Sequence, residues 1–311
     1  VSYLVVSGLR VLFPGASGTV RAVDEIDLDI REGDRVALIG ESGCGKTVLG
    51  MAILRLLPGN AEVGGVIRYQ DHELVHGREE DLQKVRGREI ALIPQNSGNV
   101  LNPVLPVGRQ IAEVLVLHRG MSADQAGREV VRLLRDVEIP RPERIAKAYP
   151  HELSGGMRER VLIATALACN PSTIIADEPT SGLDPSVKCE ILHLLMRQCL
   201  GRTLLLITHD LGAAAMLCTR IAVMYAGEIV EIGDTADILS SPRHPYTRGL
   251  LGALPSRGLH PIPGSSPSPT QFPEGCRFHP RCVRPVHQCS CKHPDMRKGH
   301  GGRATRCWCH D

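Results

Sequence analysis

Residues 40–47 read GESGCGKT, a match to G-x-x-x-x-G-K-[ST]. The pattern constrains the fold because it needs a particular setting, a buried strand before it and a helix after it. Both are legible. Residues 35–39 (RVALI) form an aliphatic run suited to a buried strand. Residues 46–57 (KTVLGMAILRLL) have helical spacing and are closed by Pro58 and Gly59. Gly40, Gly43 and Gly45 let the backbone curl and turn N–H groups inward toward phosphate oxygens, where the helix adds its positive end. In such a loop Lys46 reaches the β- and γ-phosphates and Thr47 ligates Mg2+, with Ser42, Cys44 and Val48 completing the lining.

The rest of the chain supports a mainly parallel α/β sheet covered on both faces. Residues 173–176 (TIIA) read as a strand followed by a helix over 185–200. Residues 203–207 (TLLLI) read as another, followed by a helix over 210–217. The stretch IAVMYAGEIVEIG predicts a hairpin around Gly227. Residues 98–155 lack strand signals and predict a helical insert. Aromatics make up only 3% of the chain, so the core must be aliphatic. A net charge of +2 does not mark a nucleic-acid binder. No apolar run reaches the roughly 18–20 residues that span a bilayer. Residues 1–17 have neither a basic n-region nor a cleavage site, so no leader is expected and the chain reads as cytosolic. Its cysteines are then expected as thiols or metal ligands rather than disulfides.

A second constellation, TIIADEP, delivers Asp177 and Glu178 to the end of an apolar strand, where ligands bind in open α/β sheets. With a phosphate loop upstream, Asp177 is expected to hold Mg2+ through water and Glu178 to polarise the attacking water.

Between these two motifs lies HELSGGMRERVLIATAL (151–167), which resembles the signature of ABC-transporter ATPases. Gln95, in ALIPQN, resembles the Q-loop glutamine. Asp184, in SGLD, resembles the D-loop aspartate, and His209, in LLLITHD, the switch histidine. Phe13 is the candidate for the aromatic that stacks on adenine. The resemblance covers residues 1–250 and implies a P-loop ABC-type nucleotide-binding domain with a RecA-like core and a helical subdomain. It implies ATP hydrolysis with Glu178, His209, Lys46 and Gln95 as catalytic residues. It also implies a head-to-tail dimer in which Ser154, Gly155 and Gly156 face ATP held by a second copy or a related chain. A hydroxyl and two open amides at a helix start suit that anion.

The later residues narrow the branch. SPRHPYTRGLL (241–251) and GCRFHPRC (275–282) resemble the C-terminal extension of oligopeptide, dipeptide and nickel importer ATPases. Leu101, Asn102 and Pro103 match the LNP of that branch. The resemblance implies a peripheral subunit at the cytoplasmic membrane face, working with two transmembrane permease subunits and, indirectly, an extracytoplasmic binding protein. Residues 95–106 are the candidate coupling surface. Di- or oligopeptide is the expected cargo, with nickel or another metal chelate as the alternative. A soluble ABC ATPase acting on nucleic acid is the reading from another class. No second nucleotide domain or heptad array supports it, and no nucleic acid is expected. The expected layout is an ATPase domain over 1–240 with its helical subdomain at 98–155, a Pro/Gly/Ser linker over 241–275, and a small Cys-rich C-terminal extension over 276–311.

That extension holds six of the eleven cysteines. Cys276, Cys282, Cys289 and Cys307 are spaced C-x5-C-x6-C-x17-C. The spacing fits neither zinc-ribbon pairs nor the ferredoxin run, so it does not choose between Zn2+ and an iron–sulfur cluster. The resemblance implies a [4Fe–4S] cluster on these four. Eight Lys/Arg against two Asp from 276 onward leave the tail at +6, a charge suited to offset thiolates.

Overall fold

A computed structural model describes residues 2–16, 18–95 and 100–309. They form two compact units, one from residues 1–77 and 207–311, the other from 78–206.

The first unit begins with β1 (Ser2–Phe13), β2 (Val20–Arg31), β3 (Arg35–Ile39), α1 (Lys46–Ile53), β4 (Glu62–Tyr69) and β5 (His72–Glu73). Strand β2 shows why a half-buried sheet forms. Ile26, Leu28 and Ile30 are buried while Glu25, Asp27 and Asp29 alternate outward. It pairs antiparallel with β1, and the order β2-β1-β4-β5 makes a four-stranded sheet. By contrast β3 is buried along almost its whole length, as a strand covered on both faces must be.

The second unit contributes α2 (Glu79–Val85), β6 (Ile90–Ile93), α3 (Val107–Arg119), α4 (Ala123–Asp136), α5 (Pro142–Ile145), α6 (Gly155–Leu167), β7 (Thr173–Asp177) and α7 (Pro185–Gln198). Strands β6 and β7 run parallel, Ile90 opposite Thr173. Helix α4 starts at a capping box, with Ser122 and Gln125 each bonding the other's backbone, and buries Ala126, Val130, Leu133 and Leu134 at helical spacing. Strand β8 (Thr203–Thr208) carries the chain out of this unit.

The first unit then resumes with α8 (Leu211–Leu217), β9 (Arg220–Tyr225), β10 (Glu228–Asp234), α9 (Thr235–Ser240), α10 (Pro245–Gly252), α11 (His287–Cys291), β11 (Arg297–Lys298) and β12 (Ala304–Thr305). Strand β9 lies parallel to β3 and antiparallel to β10. The predicted hairpin is this β9–β10 pair, with Ala226 (φ 48°) and Gly227 (φ 86°) as its two-residue turn. The tail closes on the same sheet, β12 pairing with β10 and β11 with β12.

Two features differ from the sequence expectation. The sheet is not simply parallel: β10, β12 and β11 extend it antiparallel beyond β9, and β2, β1, β4 and β5 form a second, antiparallel sheet. Residues 254–275 form no strand or α-helix, as their composition predicts, yet they are pinned. The N–H of Arg21 donates to the Pro269 carbonyl (2.9 Å), and Arg281 Nε to that of Pro263 (2.9 Å). No helix among the described residues is long and apolar enough to cross a membrane.

Candidate functional site

The phosphate loop leaves buried β3 and enters α1. A Cβ on Gly40 would lie 2.2 Å from the Met224 carbonyl oxygen, and one on Gly45 2.1 Å from that of Ala22. Gly45 also has φ 106°, so it meets both conditions that demand glycine. The β9–β10 turn props the loop from below, the Gly227 N–H donating to the Cys44 carbonyl (3.0 Å). Lys46 is buried, and its Nζ donates to the carbonyls of Gly40 (2.9 Å) and Glu41 (3.0 Å). Ser42, Gly43 and Thr47 are exposed and Val48 is half-buried, leaving the outer face of the loop open. Cys44 is buried with Sγ 3.9 Å from Lys46 Nζ. Burial pushes its thiol pKa up against the lowering effect of that ammonium.

Two further sequence candidates lie in this unit. Phe13 ends β1 opposite Val20 and is half-buried. His209 is exposed, one residue beyond β8. It precedes Asp210, whose carboxylate caps α8 by accepting from the Gly212 N–H (2.8 Å).

The second unit holds the others. Asp177 ends β7 and is buried. Glu178 follows at φ 47°, a left-handed conformation that is strained for a residue with a Cβ and clusters at functional sites. Its carbonyl accepts from the Ser181 N–H (3.0 Å), turning the chain toward Asp184, the exposed cap residue of α7. Ser154 caps α6, its hydroxyl accepting from the Met157 N–H (3.3 Å), and is itself exposed. The signature and the start of α7 are brought together. A Cβ on Gly156 would lie 2.5 Å from Val187 Cγ1, and one on Gly155 3.4 Å from Leu183 Cδ2. Gln95 is exposed two residues after β6, and residues 96–99 of the candidate coupling surface lie outside the described residues.

The tail returns to the first unit. Cys276, Cys289 and Cys307 are buried, Cys282 is half-buried and Cys291 exposed. Burial pushes the Cys276 thiol up to about 12 and that of Cys307 up to about 11, and it raises Cys282. Smaller contributions come from one another: Cys289 and Cys307 act on Cys276, Cys289 and Cys309 on Cys282, and Cys309, Cys282 and Cys289 on Cys307. The Cys276 N–H also donates to the Cys289 carbonyl (2.8 Å). The four thiols thus influence one another electrostatically, but no group of three or more His, Cys, Asp or Glu among the described residues is placed to hold a metal ion.

The tail's positive charge is spent on carboxylates. Arg277 pairs with Asp24 and Glu228, Arg306 with Glu228, and Arg303 with Glu231, while His293 Nε2 lies within hydrogen-bond distance of Glu228 Oε2 (2.8 Å). Thiolate neutralisation is thus not the only use of the +6 balance. Arg281 pairs with Glu41, inside the phosphate loop. The sequence motifs that contain Tyr246 and Arg281 point to no role for either residue. Both reach residue 41.

The ABC transporter family profile matches residues 23–181, and the profile described as "Oligopeptide/dipeptide transporter, C-terminal region" matches 230–289. The oligopeptide transport ATP-binding protein AppD of Bacillus subtilis is 41% identical over 99% of this chain and 97% of its own length. The oligopeptide transport ATP-binding protein OppD of Salmonella typhimurium is 40% identical over 98% and 93%. Among solved structures, a dimeric post-hydrolysis state of an ATP-binding cassette bound to ADP and Pi superposes with a TM-score of 0.66. It is 28% identical, over 75% of this chain and 98% of that one.

Proposed function

This chain belongs to the ABC transporter family, in its oligopeptide and dipeptide branch, and we propose that it is the ATP-hydrolysing subunit of a peptide importer. The observation that carries the reading is the phosphate loop. Its glycines are fixed by close backbone approach, its lysine is buried beneath it, and its outer face is open.

The roles follow from the chemistry of each residue. Lys46 exchanges its two carbonyl partners for phosphate oxygens, and the N–H groups of residues 42–47 complete the cradle. Thr47 would hold Mg2+ and Asp177 would support it through water. The ion supplies charge neutralisation across the phosphates. Glu178 orients the attacking water, His209 contacts the γ-phosphate, Gln95 joins this catalytic group, and Phe13 stacks on the adenine. Ser154, Gly155 and Gly156 bind the nucleotide of a partner ATPase, with Asp184 at that junction. ATP closes the pair by bridging it and hydrolysis removes the bridge, a two-state element biased by differential contacts. Residues 95–106 couple that motion to two permease subunits at the cytoplasmic membrane face.

Cys276, Cys282, Cys289 and Cys307 would be the ligands of a metal site in the tail, a [4Fe–4S] cluster, with Zn2+ as the alternative. The four-thiol donor set and the backbone bond from Cys276 to Cys289 support this. Such a group would supply a staple for a segment with little core of its own.

Cargo is tested with the subunit in membranes beside its permeases and binding protein. Peptide should stimulate both ATP hydrolysis and uptake. Stimulation by nickel chelates alone would move the chain to the metal reading.

A further inference from the structure

We infer that Arg281, in the C-terminal extension, is a positioning residue for nucleotide binding: it neutralises and immobilises Glu41, the second residue of the phosphate loop. This rests on the ATP-site reading above and extends it to a residue far outside the nucleotide motifs.

Every polar group of Glu41 is engaged. Its N–H donates to the Tyr246 hydroxyl (2.8 Å) and its carbonyl accepts from Lys46 (3.0 Å). Its carboxylate takes Arg281 in a two-pronged grip, Nη1 to Oε2 at 2.8 Å and Nη2 to Oε1 at 3.0 Å, and a third bond from the Ser266 hydroxyl at 2.5 Å. Arg281 is itself fixed. Its side chain is 6% exposed, Nε donates to the Pro263 carbonyl, and the guanidinium lies beside the rings of Tyr225 (5.7 Å) and Phe278 (6.0 Å). Those rings pack with Tyr246 in one aromatic cluster. Glu41 therefore meets the linker, α10 and the tail at once.

The electrostatic consequence is specific. Lys46 bonds the carbonyl of the residue whose side chain Arg281 grips, so Glu41 shares the immediate surroundings of the incoming phosphates. A bare carboxylate there repels a polyphosphate, and a paired one does not. A planar, two-pronged cation suits this task, because it satisfies both oxygens and fixes the loop's first turn in one orientation. Arg281 thus acts on nucleotide affinity through Glu41, without touching nucleotide.

The test uses the full chain. MgADP and MgATP affinities are measured for wild type, Arg281→Gln, Arg281→Lys and the double variant Glu41→Gln/Arg281→Gln, and KM and kcat are measured in the membrane complex. Arg281→Gln should weaken nucleotide binding on the order of tenfold and raise KM with little change in kcat. Arg281→Lys should fall between the two. The double variant should recover most of the loss, because the repelling charge is gone. A purely structural clamp predicts the opposite for the double variant, which then loses both partners and is at least as impaired. Unchanged affinity in a folded Arg281→Lys or Arg281→Gln chain, or failure of the double variant to recover, overturns the inference. Wild-type chain that does not bind MgATP would instead sink the ATPase reading itself.

Discussion

His244 is wholly buried at the cap of α10, its Nδ1 accepting from the Tyr246 N–H (3.1 Å) and its backbone N–H donating to Glu231 Oε2 (3.0 Å). Burial lowers its pKa to about 4, against the opposing pull of Glu231 and Glu228. An unfolded chain takes up this proton near pH 6.5, whereas the fold refuses it until about 4. The neutral imidazole's contribution is therefore intact above pH 6.5 and lost as pH falls from there toward 4, by about 3 kcal/mol in all. His244→Asn keeps a capping acceptor but removes the titration. Its urea midpoint should fall less than that of wild type between pH 6.5 and 4.5, and equal pH slopes would contradict the argument. At this scale the places of Lys46, at the start of α1, and Asp177, at the end of β7, were legible because each sits in a short pattern of fixed spacing. Glu41 was not, since its partners Tyr246 and Arg281 lie 205 and 240 residues away. No local pattern encodes a contact of that span.

Among elements, the aliphatic strands β3, β7 and β8 and the β9–β10 hairpin were readable, because a fully buried strand is a continuous apolar run. The β1–β2 pair was harder. Its register shifts between Val6 and Leu9, and again between Leu9 and Val11, which breaks the alternation that announces a strand. Strands β11 and β12, two residues each, carry no periodicity at all. They form because β10 presents an edge to β12 and two buried carboxylates, Glu228 and Glu231, to tail cations. Removing one partner of such a buried pair costs about 3–5 kcal/mol, so the tail has anchors other than any metal. Two outcomes follow for the cysteine site. Anaerobically purified chain should contain iron and acid-labile sulfide, both lost in Cys276→Ser and Cys289→Ser. Chelation should then open these thiols to alkylation while the folded baseline of the thermal melt persists. Zinc without sulfide would select the alternative ion, and metal-free chain from anaerobic cells would remove the site.

For the molecule as a whole, the proposed ATP reading assigns anions to two separate surfaces. The phosphate loop carries a lysine and an open outer face. The signature offers a capped helix start, two glycines and an exposed Ser154, and Gly156 packs so closely on Val187 that the helix cannot take a larger residue there. An α-helix N-terminus attracts anions, so under the proposed function the signature meets a phosphate presented by another chain. Slowing hydrolysis should make that pairing visible. Glu178→Gln chain is expected to bind MgATP and to shift from monomer to dimer in light scattering, while MgADP leaves it monomeric. Adding Ser154→Arg should leave MgATP affinity near that of the single variant and block the shift, because the bulky cation occupies the partner's phosphate position rather than its own chain's loop. A shift seen only after a companion ATPase chain is added would identify a heterodimer built on the same surfaces. An undiminished shift in the Ser154→Arg background would mean that the signature is not the surface through which the chains meet.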